Sequence, residues 1–151
     1  MTTIRAARTY DAQAIAELGA QLGYPSTRQQ IASRLAGVEA EPSSRVLVAE
    51  NGNGRVIGWL HVAARTQLTE DCCAEILGLV VDESSRGVGV GADLIRAAEA
   101  WARSAGCVRM RVRSRDTRER AHRFYERAGY ERNKVQLVLH KPLSASPLAK
   151  T

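Results

Sequence analysis

Arg86-Gly87-Val88-Gly89-Val90-Gly91 is the stretch that decides how this chain is read. Three glycines alternate with small apolar residues where one kind of periodicity gives way to another. Before it, Glu75-Ile-Leu-Gly-Leu-Val-Val81 is a short apolar run with the character of a buried strand. After it, Leu94, Ile95, Ala98, Trp101 and Ala102 recur at the spacing of one apolar helix face. Glycines at such a junction let backbone N–H groups approach an anion closely. The first helical turn adds unpaired donors and the positive end of the helix dipole. The pattern implies a pyrophosphate cradle, although glycines at a strand-to-helix turn also serve packing.

Two cradles are excluded by spacing. A P-loop needs a Lys directly after its last glycine, and here Ala92 follows Gly91. A dinucleotide-binding fingerprint runs G-x-G-x-x-G, one residue longer than the run found here. The loop also lies too late in the chain for a complete dinucleotide fold to follow.

At 151 residues the chain suits one domain with a substantial core. Hydrophobic residues at 44% and charged residues at 25% are ordinary for a folded soluble protein. The first residues lack the apolar stretch of a signal peptide, and no run has the length of a membrane span. Cys72, Cys73 and Cys107 form neither a disulfide framework nor a metal spacing, so reduced thiols, no metal and a cytoplasmic location are expected. The net charge of +6 favours anionic partners, coenzyme A and nucleic acid among them. Arg109, Arg111 and Arg113 alternate with Met110 and Val112, as on the solvent face of a strand.

Working outward, Ile4–Ala7 reads as a first strand and Asp11 as the N-cap of a helix carrying Ile15, Leu18 and Leu22. Thr27 with Gln30 forms a capping box for a second helix. Val46–Glu50, the turn Asn51-Gly-Asn-Gly54 and Val56–Ala64 make a hairpin. Glu75–Val81, the glycine loop and its helix follow, then a strand at Val108–Val112, a helix at Glu119–Ala128 and a last strand at Val135–His140. The order is β-α-α-β-β-β-α-β-α-β: one α/β domain over 1–142, with a mobile tail at 143–151.

Several of these segments together resemble the GNAT superfamily of acetyl-CoA-dependent N-acetyltransferases. Leu79-Val80-Val81, the R-x-x-G-x-G of Arg86–Gly91, and Ala121-His-Arg-Phe-Tyr125-Glu-Arg-Ala-Gly129-Tyr130 fall in the order and spacing of that family. The resemblance covers the second half closely and the first half by element order. It implies a mixed central sheet flanked by helices. It further implies transfer of an acetyl group from acetyl-CoA to a primary amine, by direct attack in a ternary complex.

The same resemblance suggests roles. Leu79, Val80 and Val81 would border a splay between parallel strands that holds the pantetheine arm, with Gly78 as the bulge that opens it. Arg86, Gly87, Val88, Gly89, Val90, Gly91 and Ala92 would hold the phosphates. Arg118 stands where many members have an Asn that contacts the arm. Glu75, on an otherwise apolar strand, is the leading general base, with burial expected to raise its pKa. Glu70, Asp71 and His61 are alternatives, as is a water chain. Tyr125 matches the tyrosine near the coenzyme sulfur, and Tyr24, Trp59, His61 and Tyr130 are candidate acceptor-lining residues. A homodimer is a hypothesis drawn from the family and from the apolar stretch Val135–Leu139. Two other classes compete: a non-catalytic acetyl-CoA-binding module, and a basic nucleic-acid-binding protein, which the single Phe and lack of a stacking motif disfavour.

Overall fold

A computed structural model describes residues 1–145, and the chain divides into two compact units, 1–113 and 114 onward. The first unit runs β1 (Thr3–Ala6), a 3-10 turn (Thr9–Asp11), α1 (Ala12–Gln21), α2 (Arg28–Glu39), β2 (Ser44–Glu50), β3 (Val56–Gln67) and β4 (Glu70–Val81). A second 3-10 turn (Glu83–Ser85), α3 (Val90–Ser104) and β5 (Arg109–Val112) complete it. The five strands form one sheet in sequence order. The first three pairings are antiparallel and β4–β5 is parallel, which requires a crossover, supplied by α3.

Helices cover both faces of this sheet. Ile15 of α1 and Leu35 of α2 pack with Ala7 and Val48, and Ile31, Val46 and Trp59 join them. Against the other face lies α3, whose Leu94, Ile95 and Ala98 are buried. Leu94 comes so close to β3 that a Cβ on Gly58 would stand 3.2 Å from its Cδ1. Each such Leu or Ile contributes about 1.5–3 kcal/mol by leaving water. Among the described residues, no helix is long and apolar enough to cross a membrane.

Local signals explain most boundaries. The Thr27–Gln30 capping box is formed, Thr27 Oγ1 accepting from the Gln30 amide and Gln30 Oε1 from the Thr27 amide. Asp11 does not cap α1 as expected. The helical path begins earlier, in the 3-10 turn, and the Asp11 carboxylate reaches back to the Arg8 amide at 2.8 Å while Arg5 donates two bonds to it. The β4 strand starts five residues before the expected Glu75. Its polar first residues hid it, and a turn at Leu68-Thr69 joins it to β3 as a long hairpin.

In the second unit α4 spans Glu119–Arg127 and ends at Gly129, whose φ of +96° lies in the left-handed region. Tyr125 packs edge-on against Phe124 (5.2 Å between centroids) and Tyr130 (5.8 Å). The expected strand at Val135–His140 is not formed. Residues 131–145 make no backbone–backbone hydrogen bond within the described structure, and Val135, Leu137, Val138 and Leu139 are exposed. A β-rich sequence needs an edge to pair with, because strand propensity reflects packing on neighbours rather than an intrinsic backbone choice. Of the tail expected at 143–151, Leu143 is exposed and residues 146–151 lie outside the described residues.

Burial works to raise the Asp11 carboxyl, but the Arg5 hydrogen bonds and the Arg8 amide outweigh it and hold the group below its usual range. A depressed folded pKa gives stability that is present above the unfolded value of about 3.9 and lost as pH falls through the folded one. Thermal melts should therefore show the protein losing stability below about pH 4. Asp11→Asn should cost about 1.5–3 kcal/mol at pH 7 and show a shallower acid decline. Parallel curves for the two proteins would contradict this assignment.

Candidate active site

The strand-to-helix junction is anchored from below by a buried carboxylate. Asp82, directly after β4, accepts from Gln21 of α1 (3.2 Å), Arg55 before β3 (2.7 Å) and Ser84 (3.1 Å). The Gln21 hydrogen bond first, then those of Ser84 and the Arg55 charge, outweigh burial and hold its carboxyl below the usual range. Gln21 also accepts from the Glu83 amide, so α1 and the loop are tied at two points.

Above this anchor Gly87 and Gly89 have φ of +85° and +87°, conformations that a β-branched residue does not tolerate. A Cβ on either would meet nothing within 4 Å, so these glycines serve backbone shape and not packing. The amides of Gly87, Val88 and Gly89 donate to no acceptor among the described residues, and α3 begins at Val90 with its own first-turn amides unpaired. The result is an exposed row of backbone donors at the start of α3. Arg86 folds back, its Nε donating to the Val81 carbonyl at 3.3 Å.

The strand leading into this loop is irregular in a way that matters. Pairing with β3 runs His61↔Gly78 and then Val62↔Ile76, so Leu77 is the extra residue of a bulge, one position before the expected Gly78. Residues 75 and 78 would lie on opposite faces of a regular strand. Across the bulge both lie on the face of Trp59, His61 and Ala63, because Glu75 pairs with Ala63. Gly78 is required there, since a Cβ would stand 2.8 and 2.9 Å from the Trp59 ring. Pairing with β5 stops at Ile76↔Val112, leaving one edge of β4 from Leu77 to Val81 without a strand. The Asp82 amide donates toward β3, to Ile57, so by alternation the Leu79 and Val81 amides point to the open edge.

On this face lies a cavity of about 260 Å³. Its walls include Ile15, Ala16 and Gly19 of α1, Tyr24, Ser26, Ile31 and Arg34 around α2, and Trp59, Leu77 and Gly78 of the sheet. Tyr24 and Trp59, two of the candidate acceptor-lining residues, lie in these walls. His61 faces the same side beside Gly78, its Nε2 buried without a partner among the described residues, and burial and then the Arg65 charge keep its pKa below the ordinary value.

Glu75 is buried, and Arg113 donates to it at 3.1 Å. The expected carboxyl in apolar surroundings is therefore ion-paired. The arginine stripe of β5 is not simply solvated either, since Arg109 and Arg111 both bond Glu70. That leaves Glu70 committed, held below its usual range chiefly by the Arg111 hydrogen bond, while Asp71 is exposed. In the second unit, burial pushes the Tyr125 hydroxyl up to about 12. Arg118 stands at the start of α4, and Tyr130 stacks on Tyr125.

The structure is thus an α/β sheet in which β4 runs on past the end of its parallel partner β5 and feeds a glycine-shaped row of amides at a helix start. The model of the acetyltransferase (GNAT) family matches residues 10–130, and the chain belongs to that family of acyltransferase enzymes. It is 28% identical over 148 residues to an aminoglycoside N(6')-acetyltransferase type 1 of Stenotrophomonas maltophilia, covering 95% of each chain. Over 82 residues it is 35% identical to an aminoalkylphosphonate N-acetyltransferase of Salmonella typhimurium, covering 54% of this chain and 53% of that one. The crystal structure of an aminoglycoside 6'-N-acetyltransferase from Acinetobacter haemolyticus shares the fold, with a TM-score of 0.82 and 19% identity over 94% of this chain and 99% of that one.

Sequence reasoning missed four contributors. Asp82 and Gln21 are 61 positions apart and meet only through the fold. Arg34 carried no signal beyond being a polar residue on a helix. Arg113 was visible only as part of an alternating stripe.

Gly89→Val should leave a folded protein that binds acetyl-CoA at least tenfold more weakly, as a strained φ disrupts the amide row. Gly78→Ala should instead lower the melting temperature by displacing the Trp59 ring. Calorimetry and thermal melts on both variants check the division; unchanged affinity in Gly89→Val would assign that glycine to folding alone.

Proposed function

We propose that this chain transfers the acetyl group of acetyl-CoA to a small primary amine by direct attack in a ternary complex. The observation that carries the reading is the shared face made by the Leu77 bulge. It sets the open edge of β4, the cavity and the Glu75 carboxylate on one side of the sheet. Amides from Gly87 to Ala92 would hold the pyrophosphate, and those of Leu79 and Val81 would pair with the pantetheine arm. One of the latter would polarise the thioester carbonyl. Glu75 would take the proton from the attacking ammonium, with the Arg113 hydrogen bond holding the carboxylate in place. Tyr125, protonated at neutral pH, would donate to the departing sulfur. A cytoplasmic setting belongs to the same proposal.

The acceptor follows from the cavity's charge. Among the described residues Arg34 is the one charged residue of its walls, and its guanidinium donates to Ser26 at 3.0 Å. A lone cation there suits an amine with an apolar body and an anionic group better than a polycationic aminoglycoside. The ion pairing of Arg109, Arg111 and Arg113 counts against nucleic-acid binding, since these charges are already matched. A specific observation favours a second reading of the base: His61 is kept neutral, is unpartnered at Nε2 and shares the face.

Kinetics separate these roles. Glu75→Gln should lower kcat/KM by roughly 10²-fold and remove the acidic limb of the pH–rate profile, the usual size of a general-base effect. His61→Gln should change it by only a few-fold. A reversal of the two moves the base to His61, and wild-type rates in both leave proton removal to water. Arg34→Ala should raise KM for aminoalkylphosphonates and spare neutral amines. The exposed Val135–Leu139 stretch supports a homodimer; a monomer mass by light scattering at micromolar concentration would count against it.

A further inference from the structure

The three cysteines gave no pattern in sequence, yet the fold brings two of them together. Cys72 lies near the start of β4 and Cys107 just before β5, and their sulfurs stand 2.9 Å apart. A disulfide needs about 2.05 Å, so closing the gap takes less than 1 Å of movement. The backbone beside them is already fixed, because the Val108 amide donates to the Cys72 carbonyl at 2.9 Å. Both thiols are free and half-buried, whereas Cys73 is wholly buried and directed at the Ala74 carbonyl. Cys107 also lines a surface cavity of about 140 Å³ between Arg103 and Arg109, which gives a small solute access.

We propose that Cys72 and Cys107 are a dithiol site that a peroxide oxidises to a reversible intrachain disulfide. The two sulfurs share a hydrogen bond in which either can donate, and burial, then that hydrogen bond, push the Cys107 thiol up to about 12. Cys72 is then the attacking sulfur. It breaks the peroxide O–O bond, gains one oxygen as a sulfenic acid and releases water. The Cys107 sulfur attacks that sulfenic sulfur, the S–S bond forms, and the oxygen leaves with the Cys107 proton as a second water. Two thiols and one hydrogen peroxide become one disulfide and two waters. The bond would close a loop over residues 73–106, which holds most of β4, the glycine loop and all of α3. Oxidation would thus brace the segment that carries the phosphate cradle.

The test uses the reduced wild-type protein and hydrogen peroxide, and it does not depend on acetyl transfer. Two of the three thiols should disappear and the intact mass should fall by about two daltons. A non-reducing digest should join a peptide containing Cys72 to one containing Cys107, a thiol reductant should undo the link, and the melting temperature should rise by about 5–10 °C. Cys73→Ala should still form the bond and Cys72→Ser should not. Three surviving thiols, oxygen adducts without the loss of two hydrogens, or a link through Cys73 or between chains would each overturn the proposal.

Discussion

One extra residue in one strand governs how this protein is arranged. Leu77 makes β4 a residue longer than the stretch of β3 it pairs with, and that offset turns every side chain before it to the other face. Without the bulge, Glu75 would point toward α3, away from Trp59, His61 and the cavity. A second register shift, between Arg65 and Gln67, does the same for Glu70, which joins Cys73 and Glu75 on one face and reaches Arg109 and Arg111. The acid–arginine lattice across β4 and β5 therefore exists because the longer strand is broken twice. Beyond the first break β5 no longer follows, and an open edge is left where the glycine loop begins.

Apolar packing runs across that break, and a polar cluster is added on the loop side. Leu60, Leu94 and Val62 are wholly buried on apolar contacts, an environment indifferent to pH and salt. The loop side is held by charge: Asp82 gathers Gln21, Arg55 and Ser84 from three parts of the chain. Rigid apolar packing fixes the strand and helix, and a polar knot sets the angle at which the amides of Gly87 to Gly89 face outward. Amides held in this way before any ligand arrives would spare binding the entropy of ordering them.

The sequence made the fold legible where a signal is local or repeated. The glycine loop, the Thr27–Gln30 cap and the apolar face of α3 each depend on residues within a few positions of one another. They were read correctly with little help from tertiary structure. Glu75 stood out in the sequence because a carboxylate in an apolar strand is conspicuous. Its ion pair with Arg113 was not, since β4 and β5 are joined only through the α3 crossover. The bulge was placed one residue late, because Gly78 marks the site by its absence of a side chain, while the extra residue is its neighbour. The strand expected at Val135–His140 failed for a different reason. The apolar run says that these residues can form a strand, and nothing in a single sequence tells whether an edge is available.

That last segment has a consequence for the behaviour of the molecule in concentrated solution. Val135, Leu137, Val138 and Leu139 present apolar side chains and unpaired backbone groups together, the combination on which extended chains stack into ordered aggregates. The sequence brackets the stretch with Lys134 on one side and His140, Lys141 and Pro142 on the other. Flanking charge makes successive copies repel, and the proline ring withholds one donor from any growing ladder. These neighbours act as gatekeepers, so colloidal stability here is set by four residues outside the folded core and should respond to ionic strength more than to core packing.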